Sequence, residues 1–257
     1  RALELLTPAL NSRSSEPDLH ALLGRVYYKT NEFLESARHW NRALTLFENP
    51  EHRELARQFR DRSRTLDDLG LSQYKYNHFL ILVPPELSRG QANQIDNQLE
   101  RAYEAVGADL NTYPARKITV IMHLPGPYRR AVDGPIWSGG LFDGKIHIKY
   151  NPNQRPAYDR RTLVHEYTHA LIHSRARDNV PLWFNEGLAT FQEYRHTQQK
   201  FQYSRLPDHP PEQTIRDLSE ISRMFRRSDE TSRKQVRLAY EYSFSMMEFI
   251  EERYGLY

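Results

Sequence analysis

One short stretch of the chain carries residue types that bind a metal ion and move protons. Residues 162–172 read TLVHEYTHALI, so His165 and His169 are four positions apart and Glu166 follows the first of them. In a helix, residues four apart lie on one face, about 6 Å apart along the axis. Both imidazoles can therefore reach one zinc ion. Glu166 projects beside this ion, where it can take a proton from a zinc-bound water and later give it to a leaving amine.

A second acidic residue completes the predicted ligand set. Residues 181–190 read PLWFNEGLAT, a helix that begins at a proline and carries Glu186 among apolar side chains. An unpaired carboxylate there is costly, whereas zinc on two neutral histidines gains from an anionic third ligand. Two histidines and one glutamate leave a position open for water, as in catalytic zinc sites. The alternative for Glu186 is a carboxylate near the helix start that pairs with an arginine. We also expect Gly187 to let this helix pass close to the metal-binding helix.

The H-E-x-x-H motif and the later W-F-x-E-G-L-A segment together resemble the gluzincin metallopeptidases, and most of all the peptidase MA-like family. The Gly-rich turn and strand at residues 139–146 and the late helix with Leu238-Ala239-Tyr240 resemble the same family. The likeness covers about residues 75–255. It implies a zincin-like fold and a zinc-dependent peptidase that acts on a peptide or protein substrate. It also favours an exported protein, periplasmic or membrane-attached in bacteria.

Several further residues are candidates for the same site. A zinc peptidase needs a donor for the oxyanion that forms during hydrolysis, and Tyr240 fits the family's late tyrosine better than Tyr242 does. Ile146 and Ile148 lie on a strand that we predict to be a sheet edge, which could bind an extended substrate by strand addition. A core tyrosine and a plain sheet edge are the alternatives. His173 is two turns from His165, too far to share its ion, so we expect it to pack or to support the site.

Residues 71–257 are predicted to form the metallopeptidase domain, an α+β fold with a small sheet and helices. Strands are expected at residues 76–83, 117–122 and 145–150, after a linker at residues 70–73. Irregular or polar loops are expected at residues 126–135 and 196–211. Helices are expected at residues 88–110, 160–174, 181–194, 212–225 and 232–254.

Residues 1–70 read as helix throughout, with a short break at Lys29-Thr30-Asn31. Ala2, Leu6, Ala9 and Leu10 have counterparts at Ser36, Trp40, Ala43 and Leu44, a spacing of 34 residues that is typical of tetratricopeptide repeats. Leu23-Gly24 and Trp40 fit that repeat, in which small residues let two helices approach and large ones fill the gap. A plain helical hairpin is the alternative.

Composition excludes several other classes of protein. The chain has 257 residues and no cysteine, which rules out disulfides, thiolate catalysis and cysteine-bound metals. Its 36 basic and 33 acidic residues nearly cancel, so nucleic acid is not an expected partner. The apolar runs are too short to span a membrane. Because the chain opens at Arg1 within a helical pattern, it reads as a fragment or a processed product.

Two hypotheses about function follow from these patterns. The first is a zinc-dependent peptidase with His165, His169 and Glu186 as ligands and Glu166 as general base. The second is a catalytically silent scaffold of the same fold that binds a protein partner through its helical repeats.

Overall fold

The structure, a computed structural model, describes residues 2–12, 14–131, 140–155, 157–177, 179–197, 217–225 and 232–255. Helices and strands mix along the chain around one five-stranded sheet, which confirms the predicted α+β class. The helices are α1 (Ala2–Ser12), α2 (Pro17–Thr30), α3 (Phe33–Leu46), α4 (Pro50–Asp68), α5 (Arg89–Asp109), α6 (Pro125–Ala131), α7 (Arg160–Ala176), α8 (Leu182–Thr197), α9 (Leu218–Phe225) and α10 (Ser232–Tyr254). The strands are β1 (Ser72–Lys75), β2 (Phe79–Val83), β3 (Ile118–His123), β4 (Gly140–Phe142) and β5 (Ile146–Lys149).

The chain forms two compact units. One comprises Arg1–Gln73, Leu82–Ser88 and Met122–Ser138, and the other comprises Tyr74–Ile81, Arg89–Ile121 and Gly139–Tyr257. The predicted boundary at residue 70 differs from this division, which groups Leu82–Ser88 and the described residues of Met122–Ser138 with the N-terminal helices.

The N-terminal helices pack through small residues, as the sequence predicts. The break between α2 and α3 falls at Asn31, which adopts the left-handed conformation (φ 68°) that commonly ends a helix. Gly24 on α2 lies directly against the Trp40 ring on α3, and a Cβ placed there would be 2.7 Å from the indole Nε1. The Ser36 hydroxyl donates a hydrogen bond to the Gly24 carbonyl at 2.8 Å. The close approach of α2 and α3 therefore depends on the absence of a side chain at position 24.

The strand order in the sheet is β1-β2-β3-β5-β4. This order corrects the prediction that Ile146 and Ile148 lie on a sheet edge, because β5 is paired on both sides. On one side, antiparallel β4 aligns Gly140 with Ile148 and Phe142 with Ile146, and both isoleucines are buried. They belong to the core rather than to a substrate-binding edge, and the outermost strand is β4.

Several local predictions differ from the structure. The expected linker at residues 70–73 contains the start of β1, the strand expected at residues 76–83 begins at Phe79, and residues 126–131 of the expected loop belong to the short helix α6. Helix α8 extends to Thr197, into the expected polar loop, and α9 begins at Leu218. Residues 132–139 and 198–216, which hold the rest of these predicted loops and the first part of the predicted helix, lie outside the described residues.

Helices α7, α8 and α10 share an apolar core in the second unit. Ile172, Leu188, Phe191, Phe244 and Met247 form one buried cluster across these three helices. Gly187 on α8 faces α10, and a Cβ there would lie 2.7 Å from the Ser243 carbonyl oxygen. The prediction that Gly187 accommodates the metal-binding helix was wrong, since its close neighbour is α10 rather than α7.

None of the described helices combines the length and apolar character needed to cross a membrane.

The Gly24 contact makes a prediction about stability. In a Gly24→Ala variant the new methyl group must displace the Trp40 ring, at a cost of about 1–3 kcal/mol that exceeds the gain in helix propensity of about 1 kcal/mol. We expect a lower midpoint in urea unfolding. Gly126→Ala is the control, because no heavy atom lies within 4 Å of a Cβ at that position. Equal destabilisation of the two variants would contradict the packing role of Gly24.

Candidate metal centre

Three side chains on two neighbouring helices converge in the second unit. His165 and His169 lie one turn apart on α7, and their Nε2 atoms are 3.1 Å apart. Glu186 on α8 places its Oε2 atom 3.5 Å from the His165 Nε2 and 3.7 Å from the His169 Nε2. Among the described residues, this is the group of three potential metal ligands whose donor atoms lie within 4.8 Å of one another.

These distances fit a tetrahedral ion. Zinc binds imidazole nitrogen and carboxylate oxygen at about 2.0–2.2 Å, so two ligands in a tetrahedral site are separated by about 3.3–3.5 Å. The three separations, from 3.1 to 3.7 Å, bracket that value. The side chains of His165 and Glu186 are 15% and 17% exposed, so the centre is sheltered but open to solvent. The residues present therefore suit a divalent ion with room for water.

Glu193 contacts the His165 nitrogen that faces away from Glu186, a role that was not predicted from the sequence. Its Oε2 atom lies 3.2 Å from the His165 Nδ1. Because a carboxylate only accepts, the Nδ1 carries a proton, so a neutral His165 ring would offer its Nε2 lone pair to a cation. The available signal was its position on α8, since Glu193 follows Glu186 by two helical turns and shares its face.

Burial and charge set the protonation of the ligands in the metal-free site. Burial lowers the pKa of His169, which keeps this imidazole neutral. Burial also opposes a charge on His165, but hydrogen bonds to Glu186 and Glu193 raise its pKa well above the ordinary value. Burial alone would raise the pKa of Glu186, yet the two histidines and a hydrogen bond from Tyr240 lower it to about 2. These interactions favour a protonated His165 beside an ionised Glu186 when no cation is bound.

Glu166 is buried beside this centre, under strand β4. A Cβ at Gly140 would lie 2.7 Å from the Glu166 Cγ and 3.0 Å from its Oε1, so β4 can approach only because position 140 lacks a side chain. Burial, followed by the charges of Glu186 and Glu193, raises the pKa of Glu166 to about 8, although the charge of His165 opposes the shift. A carboxyl group of this kind exchanges a proton near neutral pH.

Tyr240 on α10 reaches the same centre. Its hydroxyl donates a hydrogen bond to Glu186. Burial and the negative charge of Glu186 raise the pKa of Tyr240 well above its ordinary value, so the hydroxyl keeps its proton. Tyr242, the other candidate, packs against the apolar cluster of Ile221, Met224 and Ala239.

Five other histidines that the structure describes have different surroundings. The ring of His173 packs edge-on against Phe142 of β4, with ring centroids 5.4 Å apart, which agrees with the packing role predicted for it. His78, His147 and His196 contact the carboxylates of Glu100, Asp143 and Asp109, respectively. His123 is buried, with its ring near Tyr128.

Comparison with protein-family models finds no match to this chain, and comparison with curated proteins finds no significant relative. The likeness to the gluzincins therefore rests on the sequence motifs and stays a prediction.

The proton on His165 makes a prediction about pH. A metal ion must displace this proton, so metal binding competes with protonation below the raised pKa of His165. We expect the apparent Zn²⁺ affinity to fall at least roughly tenfold per pH unit as the pH decreases from about 7 to about 6. Competition with a chromogenic chelator, corrected for protonation of the chelator itself, measures the affinity. An affinity that does not change over this range would contradict the assignment.

The hydrogen bond from His165 to Glu193 makes a second prediction. A Glu193→Gln variant keeps an acceptor but removes the charge that orients and polarises the ligand, so we expect Zn²⁺ to bind about 10–100-fold more weakly. Glu252→Gln is the matched control, because it makes the same change at an exposed position on α10. The same chelator competition compares the two variants, and equal affinities would exclude a supporting role for Glu193.

Proposed function

We propose that this protein is a zinc-dependent peptidase with a zincin-like fold. The observation that carries the proposal is the convergence of His165, His169 and Glu186, which come from two helices and whose donor atoms are 3.1–3.7 Å apart. A closed structural site would use four protein ligands, whereas three ligands that are partly open to solvent favour catalysis. A bound zinc ion would supply a Lewis acid and lower the pKa of a coordinated water.

Glu166 is the proposed general base and acid. It follows the first histidine on α7 and is buried, so its proton affinity is tuned by its surroundings rather than by bulk water. The charge of a bound cation would favour its ionised form, which counters the upward pKa shift of the metal-free site. In the proposed reaction, Glu166 accepts a proton from the attacking water and then delivers it to the nitrogen of the leaving amine.

Tyr240 is the proposed oxyanion donor. Its hydroxyl lies at Glu186 and stays protonated at neutral pH, so it can donate a hydrogen bond to the substrate carbonyl as negative charge develops there. Because Tyr240 comes from α10, the packing of α10 against α8 positions this hydroxyl.

The outermost strand, β4, is the proposed binding strand for an extended peptide. It ends the sheet order and contacts α7, and its Gly140 lies against Glu166. A peptide aligned along β4 would run past the carboxyl group that transfers protons, so strand addition would also position the scissile bond. This assignment replaces the one made for Ile146 and Ile148.

The proposal predicts that Glu166→Gln separates metal binding from catalysis. We expect the variant to retain one Zn²⁺ per chain and to lose about 10²–10⁴-fold in the rate of peptide hydrolysis, because a neutral amide cannot accept the proton. Metal analysis and cleavage of a peptide library, with and without a chelator, provide the two measurements.

Glu252→Gln is again the control and should cleave like the parent. Undiminished cleavage by Glu166→Gln would reject the general base, and cleavage that resists the chelator would reject metal dependence. A parent chain that binds Zn²⁺ but cleaves no peptide in the library would favour the scaffold hypothesis instead.

A further inference from the structure

Strand β4, the proposed binding strand, is short for an element at the end of a sheet. It has three residues and ends the strand order next to antiparallel β5. Because only alternate residues of an antiparallel pair bond directly across it, three residues supply few hydrogen bonds. Short elements with few such bonds open easily. A strand of this kind that receives a substrate therefore needs a further contact to keep it in place.

Asp143, directly after β4, supplies such a contact through its side chain. Its Oδ1 atom lies 3.1 Å from the Nε2 atom of His147 on β5 and 3.3 Å from the backbone nitrogen of Lys145. Its backbone N–H also donates to the Lys145 carbonyl, at 3.2 Å. Gly144, between Asp143 and Lys145, has a positive φ of 101°, which favours glycine. The turn between β4 and β5 is thus closed by its main chain and by one carboxylate.

The imidazole that meets this carboxylate is held inside the sheet. The His147 side chain is fully buried, and the Asp143 side chain is 12% exposed. A carboxylate only accepts, so the His147 Nε2 carries a proton and donates it in the hydrogen bond to Asp143. Hydrogen bonds to a carboxylate are strong, and more so where water is excluded. Since β5 is paired on both sides, this bond ties the end of β4 to a strand in the interior of the sheet.

The Asp143–His147 bond lies on the face of the sheet that points away from α7. Gly140 and Ile148 are paired across β4 and β5, and Gly140 faces α7, where it lies against Glu166. Successive side chains on a strand alternate, so the His147 side chain points to the other face. The Asp143–His147 bond therefore does not reach the proposed reacting groups, and it can act on them only through the position of β4.

We propose that Asp143 and His147 are positioning residues for the substrate. Their hydrogen bond keeps β4 ordered against Glu166, so that an extended peptide adds to a strand that is already in place. This inference rests on the proposed function, in which β4 binds the peptide. The affinity for the peptide falls with the fraction of molecules in which β4 is ordered. If that fraction drops to about a tenth, KM rises about tenfold while kcat stays the same, because the bound state is unchanged.

The test replaces the imidazole in the full chain loaded with Zn²⁺, and the substrate is the library peptide that the parent chain cleaves fastest. His147→Leu keeps a buried side chain of similar size but removes the donor, so we expect KM to rise about tenfold with kcat unchanged. His147→Gln keeps an N–H donor and should bring KM back close to the parent value. A general folding defect would instead lower the active fraction, and with it kcat, without this change in KM.

Asp143→Ala decides the outcome if His147→Leu does not fold, because it removes the acceptor at a partly exposed position in a turn. Asp143→Asn is its matched control, since it keeps a side-chain oxygen that can accept from His147. The same rise in KM is expected for Asp143→Ala and not for Asp143→Asn.

Amide hydrogen exchange measures the order of β4 without any cleavage. The amides of residues 140–142 should exchange faster in His147→Leu than in His147→Gln, while both variants keep the Zn²⁺ affinity of the parent chain. Equal exchange in the two variants overturns the proposal, and so does an unchanged KM in a chain that cleaves peptides, which leaves the peptidase standing. A parent chain that cleaves no peptide rejects the peptidase instead, and hydrogen exchange then decides alone whether the Asp143–His147 bond orders β4.

Discussion

The constraint on which the second unit depends is the placement of three carboxyl groups, one buried and two half-buried, around two imidazoles. Glu166, Glu186 and Glu193 lie within electrostatic reach of one another, and the charges of Glu186 and Glu193 raise the pKa of Glu166. Burying like charges together is unfavourable unless a cation or a proton compensates them. When no cation is bound, the raised pKa values of His165 and Glu166 favour protons on these groups, which supply the compensation. A divalent ion would supply this compensation instead. The separations between the donor atoms of His165, His169 and Glu186 already match those around a tetrahedral ion.

Two close contacts, each made at a glycine, hold this arrangement in place. Gly140 allows β4 to lie on Glu166, and Gly187 allows α8 to lie on the Ser243 carbonyl of α10. The first contact covers the proton-transfer carboxyl, and the second fixes the helix that carries Glu186 against the helix that carries Tyr240. Glycine is needed at both positions for reasons of space, since neither has an unusual positive φ. In the N-terminal unit, Gly24 has the same role against Trp40.

Local sequence patterns predicted much of the fold and the centre of the site. The helix from residues 232 to 254 was predicted with its observed bounds, and α5 and α7 were predicted to within two residues at each end. The interior position of β5 was not predicted, because alternation along a strand shows which face is buried but not which strands flank it. The contact partner of Gly187 was not predicted for a similar reason. A glycine on a helix suggests that another element packs closely there, but it does not show which element.

The sequence by itself determined that His165 and His169 share one face of a helix with Glu166 beside them, because a helix fixes the positions of residues four apart. It also determined that Glu186 sits on a separate apolar helix, where an unpaired carboxylate would be unfavourable. Only the tertiary structure decided that Glu186 meets both histidines, that Glu193 orients His165, and that Tyr240 arrives from α10. These contacts join residues far apart in sequence, and the packing of whole helices sets their distances, which no local spacing specifies.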